Sequence, residues 1–161
     1  MIGAMKHIGF LVVLGFCLLC PPAQGAPLAV GDAVPAISAN DQRGVPFVFT
    51  NGIQFILVTT EMGCAKSANK QLAGQGAGYL EKYRAVYLMD IHPMPGIARV
   101  FAFPKMRKYP QRIILVDSAD ALAVFPKQSG RLTVLALSPA GRIEKINYWD
   151  PDNAPVDTCF R

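Results

Sequence analysis

Charged residues are scarce in this sequence of 161 residues, at 17%, and no internal repeat or low-complexity tract is present. Hydrophobic residues make up 52% of the chain, and there are 11 acidic residues. This composition excludes a disordered chain, a collagen-like chain and an acidic tail. No apolar run reaches the ~20 residues that a membrane-spanning helix needs. Basic residues are spread along the chain except around Lys105, Arg107 and Lys108, so we expect no nucleic-acid partner.

The longest apolar run lies near the N-terminus and is typical of a secretory signal peptide. Lys6 precedes the apolar stretch 8–19, and two prolines end that stretch just before small residues. We predict a signal peptide over residues 1–25 and a single exported domain over residues 26–161, periplasmic or secreted, without stable membrane insertion after cleavage. The alternative is an uncleaved N-terminal anchor, which the short apolar run and the prolines disfavour.

Few cysteines would remain after cleavage. Cys17 and Cys20 have the spacing of a redox motif, but they lie within the predicted signal peptide and would be removed with it. Cys64 and Cys159 would reach an oxidising compartment, where two thiols can join. We expect no stable bridge between them, because the last strand leads away from Cys64 and the proline-containing tail must be ordered to return. A fixed bridge, an intermolecular bridge and an unpaired thiol are the alternatives.

The pattern of apolar residues predicts an α/β domain. Three unbroken runs of apolar and β-branched residues, 55–60, 85–91 and 112–117, are typical of strands buried on both faces. Strands joined by long crossovers must be parallel, whereas two further strands joined by a tight turn must be antiparallel. The result is a mixed sheet flanked by helices, with an N-terminal hairpin. The other predicted elements are strands at 132–137 and 142–149, a glycine-divided helix at 67–83, a helix at 97–109 interrupted at Pro104, and a helical turn at 119–125.

Reactive groups are expected at the carboxyl edge of this sheet, where the loops that follow three strands meet. Cys64 would begin a helix there, and the helix dipole together with Lys66 would lower the pKa of its thiol, with Glu61 acting in the opposite direction. His92 should lie at the same edge, where it could contact Cys64. The three loops are 61–67, 90–96 and 117–118.

Several of these segments resemble the thioredoxin superfamily. The similarity lies in the strand order, in the segment Val30–Pro35, in the turn Asp41–Gly44 and in the segment Tyr109–Arg142. Within the superfamily the chain is most similar to exported peroxiredoxin-like and thioredoxin-like proteins, and Tyr109–Arg142 is particularly similar to the YtfJ-type periplasmic family, whose activity is unknown. The resemblance implies a thioredoxin-like fold with thiol redox chemistry at Cys64.

The chain departs from the thioredoxin pattern at positions that exchange chemistry uses. Ser67 stands where the second cysteine of Cys-x-x-Cys would resolve a mixed disulfide. Leu132 stands where the family has a cis-proline, and we expect a trans peptide there because a non-proline cis bond costs about 3 kcal/mol. Glu61 stands where a peroxiredoxin has threonine. The tail 150–161 is too short and proline-rich to form the usual covering helix, which would leave part of the sheet open.

The first functional hypothesis is a monothiol redox or peroxide-responsive protein. It needs no cofactor and acts on an exported protein or on a thiol partner. Cys159, on a mobile tail, would be the resolving thiol in the absence of a second cysteine near Cys64. The catalytic candidates are therefore Cys64, Lys66, Ser67, His92 and Cys159.

Two further hypotheses come from other functional classes. The domain can be a redox-inactive module that holds a partner on the open sheet face or on the edge that carries Cys64 and His92, with Cys64 as a packing residue. Alternatively, soft donors and an imidazole at one edge of the sheet are the ligand types that select cuprous ion. The ligands of such a copper site would be Met62, Cys64, His92 and Met94.

Overall fold

The computed structural model describes residues 25–50 and 52–161. Apart from Gly25, the predicted signal peptide lies outside the described residues, so its presence, its cleavage and the start of the domain stay predictions. Within the described residues, no helix is both long enough and apolar enough to cross a bilayer.

One mixed sheet of seven strands forms the centre of the described part of the chain. Its strands are β1 (Ala39–Asp41), β2 (Pro46–Phe47), β3 (Phe55–Thr59), β4 (Ala85–Asp90), β5 (Ile114–Val116), β6 (Leu132–Leu137) and β7 (Ile143–Trp149), in the spatial order β2-β1-β5-β4-β3-β6-β7. β4 pairs in parallel with β3 and β5, whereas β6 runs antiparallel to both β3 and β7. The predicted mixed sheet and the N-terminal hairpin, formed by β1 and β2, are confirmed.

The central strands are buried because their sequences are apolar on both faces. In β3, Ile56 packs into one core and Leu57 into the other. In β4, Leu88 and Tyr87 are divided between the two cores in the same way. The absence of polar and apolar alternation in these runs therefore predicts their position correctly.

Four helical segments accompany the sheet within the described residues: α1 (Met62–Gln75), α2 (Tyr79–Lys82), α3 (Gly96–Met106) and a 3₁₀ helix (Val156–Phe160). The predicted division of the first helix is confirmed, since Gly76 ends α1 with a φ of 93°, which glycine adopts readily. The predicted interruption at Pro104 is wrong, because α3 continues through this proline to Met106. Pro104 removes one backbone hydrogen bond of the helix, and the helix ends two residues later. Residues 119–125 form hydrogen-bonded turns, in agreement with the predicted helical turn.

The helices all pack on one face of the sheet. Their buried apolar residues belong to the core that contains Leu57 and Tyr87. The opposite core is closed by irregular chain, with Ile37 before β1 and Leu122 and Phe125 after β5. The expected mixed sheet with flanking helices is therefore present, and its second face is covered by loops.

The C-terminal tail packs against the helical face. Gln71 of α1 donates from Nε2 to the carbonyl oxygens of Pro151, at 2.6 Å, and Ala154, at 3.0 Å. Its Oε1 accepts a hydrogen bond from the Val156 amide at 2.9 Å. The prediction of an open sheet face at this position is wrong, because contacts with α1 hold a segment that is too short to form a long helix of its own. The mobility of the tail stays a prediction.

Candidate thiol site

Cys64 lies in the first turn of α1, directly after β3, at the expected edge of the sheet. The helix begins earlier than predicted because the carbonyl oxygen of Glu61, the N-cap residue, already accepts a bond from the Ala65 amide at 3.0 Å. The Glu61 side chain does not cap the helix. Its Oε2 accepts a bond from the Gly130 amide at 3.0 Å and lies 3.9 Å from Cys64 Sγ. Glu61 therefore connects the thiol to the loop before β6.

The Cys64 side chain is buried, with 5% exposure, and the pKa of its thiol is raised above the ordinary value. Burial is the largest cause of the increase, and the carboxylates of Glu61, Asp152 and Asp150 add to it. This direction is opposite to the one expected from the helix dipole and Lys66. Because the thiolate is the nucleophilic form, these surroundings weaken the reactivity of Cys64.

Ser67 and Lys66, the next two candidates, take part in other contacts. Ser67 Oγ donates to Asp152 Oδ1 at 2.7 Å, which joins α1 to the segment after β7. Lys66 is exposed, lines a groove between α1 and α3, and is not among the groups that perturb the Cys64 pKa. Neither of these contacts is with Cys64, and the catalytic part of Lys66 and Ser67 stays a prediction.

His92 lies in the loop after β4, and the structure places Asp117 beside it, with 3.8 Å between Nδ1 and Oδ1. Arg99 of α3 binds Asp117 through both of its terminal nitrogens and donates from Nε to the Met94 carbonyl oxygen at 2.9 Å. Hydrogen bonding to Arg99 holds the pKa of Asp117 below its usual value. In the described part of the chain, no hydrogen bond or ion pair joins His92 to Cys64.

Cys159, the candidate resolving thiol, is 2% exposed within the 3₁₀ helix. Burial, followed by the nearby Asp157 carboxylate, raises the pKa of its thiol to about 12. Cys159 and Cys64 belong to the same core, and both are free thiols in this structure. The absence of a stable bridge between them stays a prediction. A resolving role would require the tail to leave its anchor on Gln71.

The residues of the copper hypothesis differ in exposure. Cys64 and Met94 are buried, whereas Met62 and His92 are exposed. Among residues 25–50 and 52–161, no group of three or more His, Cys, Asp or Glu side chains is arranged to hold a metal ion. That finding does not concern methionine ligands, so the copper hypothesis stays a prediction.

The loop before β6 is connected to the thiol through Glu61. The peptide bond before Leu132 is trans, as expected, since the described residues contain no cis peptide bond. Thr133 Oγ1 donates to the Pro126 carbonyl oxygen, and the Gly130 amide donates to Glu61. This part of the site is held by hydrogen bonds rather than by a proline facing the sulfur.

Sequence reasoning misses the residues that shape these surroundings. Asp150 and Asp152, which raise the Cys64 pKa, have only the sequence signature of a turn after a strand. Gln71 and Arg99, which hold the tail and the His92 loop, carry no local signal at all. Gln71 binds Pro151, 80 positions away, and Arg99 pairs with Asp117, 18 positions away, so the folded chain is needed to reveal these roles.

Comparison with protein-family models finds no match to this chain. A curated relative, the methionine import ATP-binding protein MetN of Corynebacterium diphtheriae, is 32% identical over 87 residues. The match covers 54% of this chain and 24% of that protein, so the chain spans about a quarter of the length of this relative. That share does not place the chain in the family of the relative.

Solved structures with similar architecture are thioredoxin-like and peroxiredoxin-like proteins. The thioredoxin domain of a thiol-disulfide oxidoreductase from Bacteroides vulgatus matches with a TM-score of 0.55 at 15% identity, over 83% of this chain and 99% of that one. Peroxidoxin BcpB from Mycobacterium tuberculosis matches with a TM-score of 0.54 at 16% identity, over 83% and 94% of the two chains. A peroxiredoxin-like protein from Aquifex aeolicus gives 0.52 at 11% identity, over 78% and 79%. At these identities the similarity concerns the fold alone, and the chain has a thioredoxin-like fold.

Proposed function

We propose that this chain is an exported thioredoxin-fold binding module in which Cys64 is a structural thiol rather than a redox nucleophile. Export is supported by the signal-peptide pattern of residues 1–25. A relation to the YtfJ-type periplasmic family is supported by the segment Tyr109–Arg142 and forms part of the proposal. The partner is another exported protein.

The observation that carries the proposal is the burial of the Cys64 sulfur, together with the carboxylates that act on it. The thiol is buried, and the groups that act on its pKa include three carboxylates. Thiol–disulfide exchange begins with attack by a thiolate. Each unit by which the pKa rises above the ambient pH reduces the thiolate population about tenfold. Negative surroundings therefore work against the step on which an oxidoreductase depends.

Cys64 has a structural part in this account. Its side chain packs into the core beneath α1, and its Sγ lies against the carboxylate that binds the Gly130 amide. The start of α1 and the loop before β6 are thereby held together. A fixed edge of this kind suits a binding surface, because little ordering is needed when a partner docks.

The monothiol hypothesis is the alternative, and the position of Cys64 in the first turn of a helix favours it. Activation of the thiol would require Glu61 to be protonated or to turn away from the sulfur. Resolution by Cys159 would in addition require the anchored tail to open. Two rearrangements therefore separate this structure from a working thiol cycle.

Redox assays on the wild-type protein and on Cys64→Ser test the proposal. The assays are dithiothreitol-driven reduction of insulin disulfides and consumption of hydrogen peroxide, with a Cys-x-x-Cys thioredoxin as the positive control for reduction. We expect both proteins to remain at the background rate. A wild-type rate above background that Cys64→Ser abolishes would replace the binding module with the monothiol enzyme.

A further inference from the structure

An exposed apolar surface lies on α1 and α3. Ile97, Val100 and Phe101 of α3 are 76%, 68% and 68% exposed, and Met62 of α1 is 54% exposed. The spacing of the three residues on α3 places them along one side of the helix. Single exposed apolar residues are ordinary, but a group on two neighbouring helices marks an interaction surface.

A groove between the two helices, the α1–α3 groove, adjoins this surface. It encloses about 450 Å³ and is open to solvent on one side. Met62 and Phe101 line it, and Ala65 and Ala98 make room between the helices because their side chains are small. Buried Met89 also lines the groove, and its flexible thioether adapts to apolar groups of different shapes.

The charges of the α1–α3 groove are all positive. Lys66 and Lys105 line it, and no carboxylate does. Both lysines are exposed, and within the described residues neither forms a salt bridge. A pair of unneutralised ammonium groups beside apolar side chains complements a ligand that carries a negative charge next to apolar groups.

We propose that the α1–α3 groove binds a short segment of a partner protein that presents large apolar side chains beside an acidic residue. The inference rests on the proposed binding function and specifies its ligand. The apolar side chains occupy the space between the helices, and the acidic residue pairs with Lys66 or Lys105. Two cations are few for a nucleic acid, whose affinity grows with the number of phosphates neutralised.

Selection of a random-peptide library displayed on phage against the purified protein tests the chemistry of the ligand. We expect enriched peptides to combine Leu, Phe or Met with Asp or Glu. Enrichment of basic or wholly polar peptides overturns the proposal, and so does the absence of enrichment.

Fluorescence anisotropy with one enriched peptide then tests the location. Phe101→Asp, and the double substitution Lys66→Glu with Lys105→Glu, should each weaken binding at least about tenfold. Val48→Asp is the matched control, since Val48 is 71% exposed beyond β2 on the hairpin and should leave the affinity unchanged. Unchanged affinity in Phe101→Asp, or equal weakening in Val48→Asp, overturns the proposal.

Two further measurements separate the remaining outcomes. Sedimentation of the free protein tests for a second copy as the occupant, and a dimer that Phe101→Asp dissociates would overturn the proposal. Cys64→Ser should bind the peptide as the wild-type protein does. If peptide binding is lost while the redox assays stay at the background rate, only this inference is contradicted. If redox activity is found while peptide binding stays intact, only the proposed function is contradicted.

Discussion

Replacing Gln71 by alanine tests whether the C-terminal tail is anchored to α1. The Gln71 amide forms hydrogen bonds with the Pro151 carbonyl, the Ala154 carbonyl and the Val156 amide. Alanine keeps the helix but removes all of these contacts. We expect the free energy of unfolding to fall by about 2–4 kcal/mol.

The magnitude follows from what each lost contact leaves behind. Val156 is buried, so leaving its amide without an acceptor lowers the free energy of unfolding by about 1–3 kcal/mol. The Pro151 carbonyl loses a neutral hydrogen bond worth about 1 kcal/mol. The Ala154 carbonyl keeps the Trp149 indole nitrogen as a donor at 2.9 Å, so its lost bond adds little.

Urea unfolding of the wild-type protein, Gln71→Ala and Gln75→Ala measures this difference. Gln75 is exposed at the end of the same helix, so its substitution should change the free energy of unfolding by less than about 0.5 kcal/mol. Maleimide should also modify Cys159 faster in Gln71→Ala, because the tail opens more often. The anchoring argument is refuted if Gln71→Ala matches the wild-type protein in both unfolding free energy and Cys159 modification rate.

Alkaline pH should destabilise the fold, because the raised pKa of Cys159 keeps its thiol protonated in the folded state while the unfolded chain ionises. Between about pH 8.5 and about pH 10, ionisation of this thiol in the unfolded chain should lower the free energy of unfolding by up to about 1.4 kcal/mol per pH unit. Urea titrations should show a shallower decline with pH in Cys159→Ala than in the wild-type protein. Arg99→Leu should accelerate amide hydrogen exchange at Met94, because Arg99 holds this loop, whereas Arg107→Leu at the end of α3 should not. Equal exchange rates in the two variants would contradict the role of Arg99.

The strands could be predicted because their signals are local. β3 and β4 are runs of apolar residues that are long enough for a strand. Both faces of such a run must be buried. β6 and β7 could be predicted from their turn, Ser138–Gly141, whose residues favour a hairpin. The mixed sheet follows from these runs and from the lengths of the segments between them.

The tail and the thiol surroundings could not be predicted in the same way. The segment after Trp149 contains prolines and forms only a single 3₁₀ helix, and its ordering depends on Gln71, about 80 positions earlier. Burial and Glu61 are the largest causes of the raised Cys64 pKa, and Asp152 and Asp150, which the segment after β7 brings to the start of α1, add to it. Lys66 is close to Cys64 in the sequence, whereas in the folded chain the Cys64 sulfur is buried next to the Glu61 carboxylate.

The rate of iodoacetamide alkylation of Cys64 as a function of pH tests the central claim most directly. Mass mapping of the Cys64 peptide reads this thiol separately from Cys159, and Glu61→Gln serves as the matched variant because it removes a charge that raises the pKa. We predict a midpoint above the ~8.5 of a model thiol in the wild-type protein, and a lower midpoint in Glu61→Gln. A wild-type midpoint below ~8.5 would contradict the structural role of Cys64 and favour a reactive monothiol.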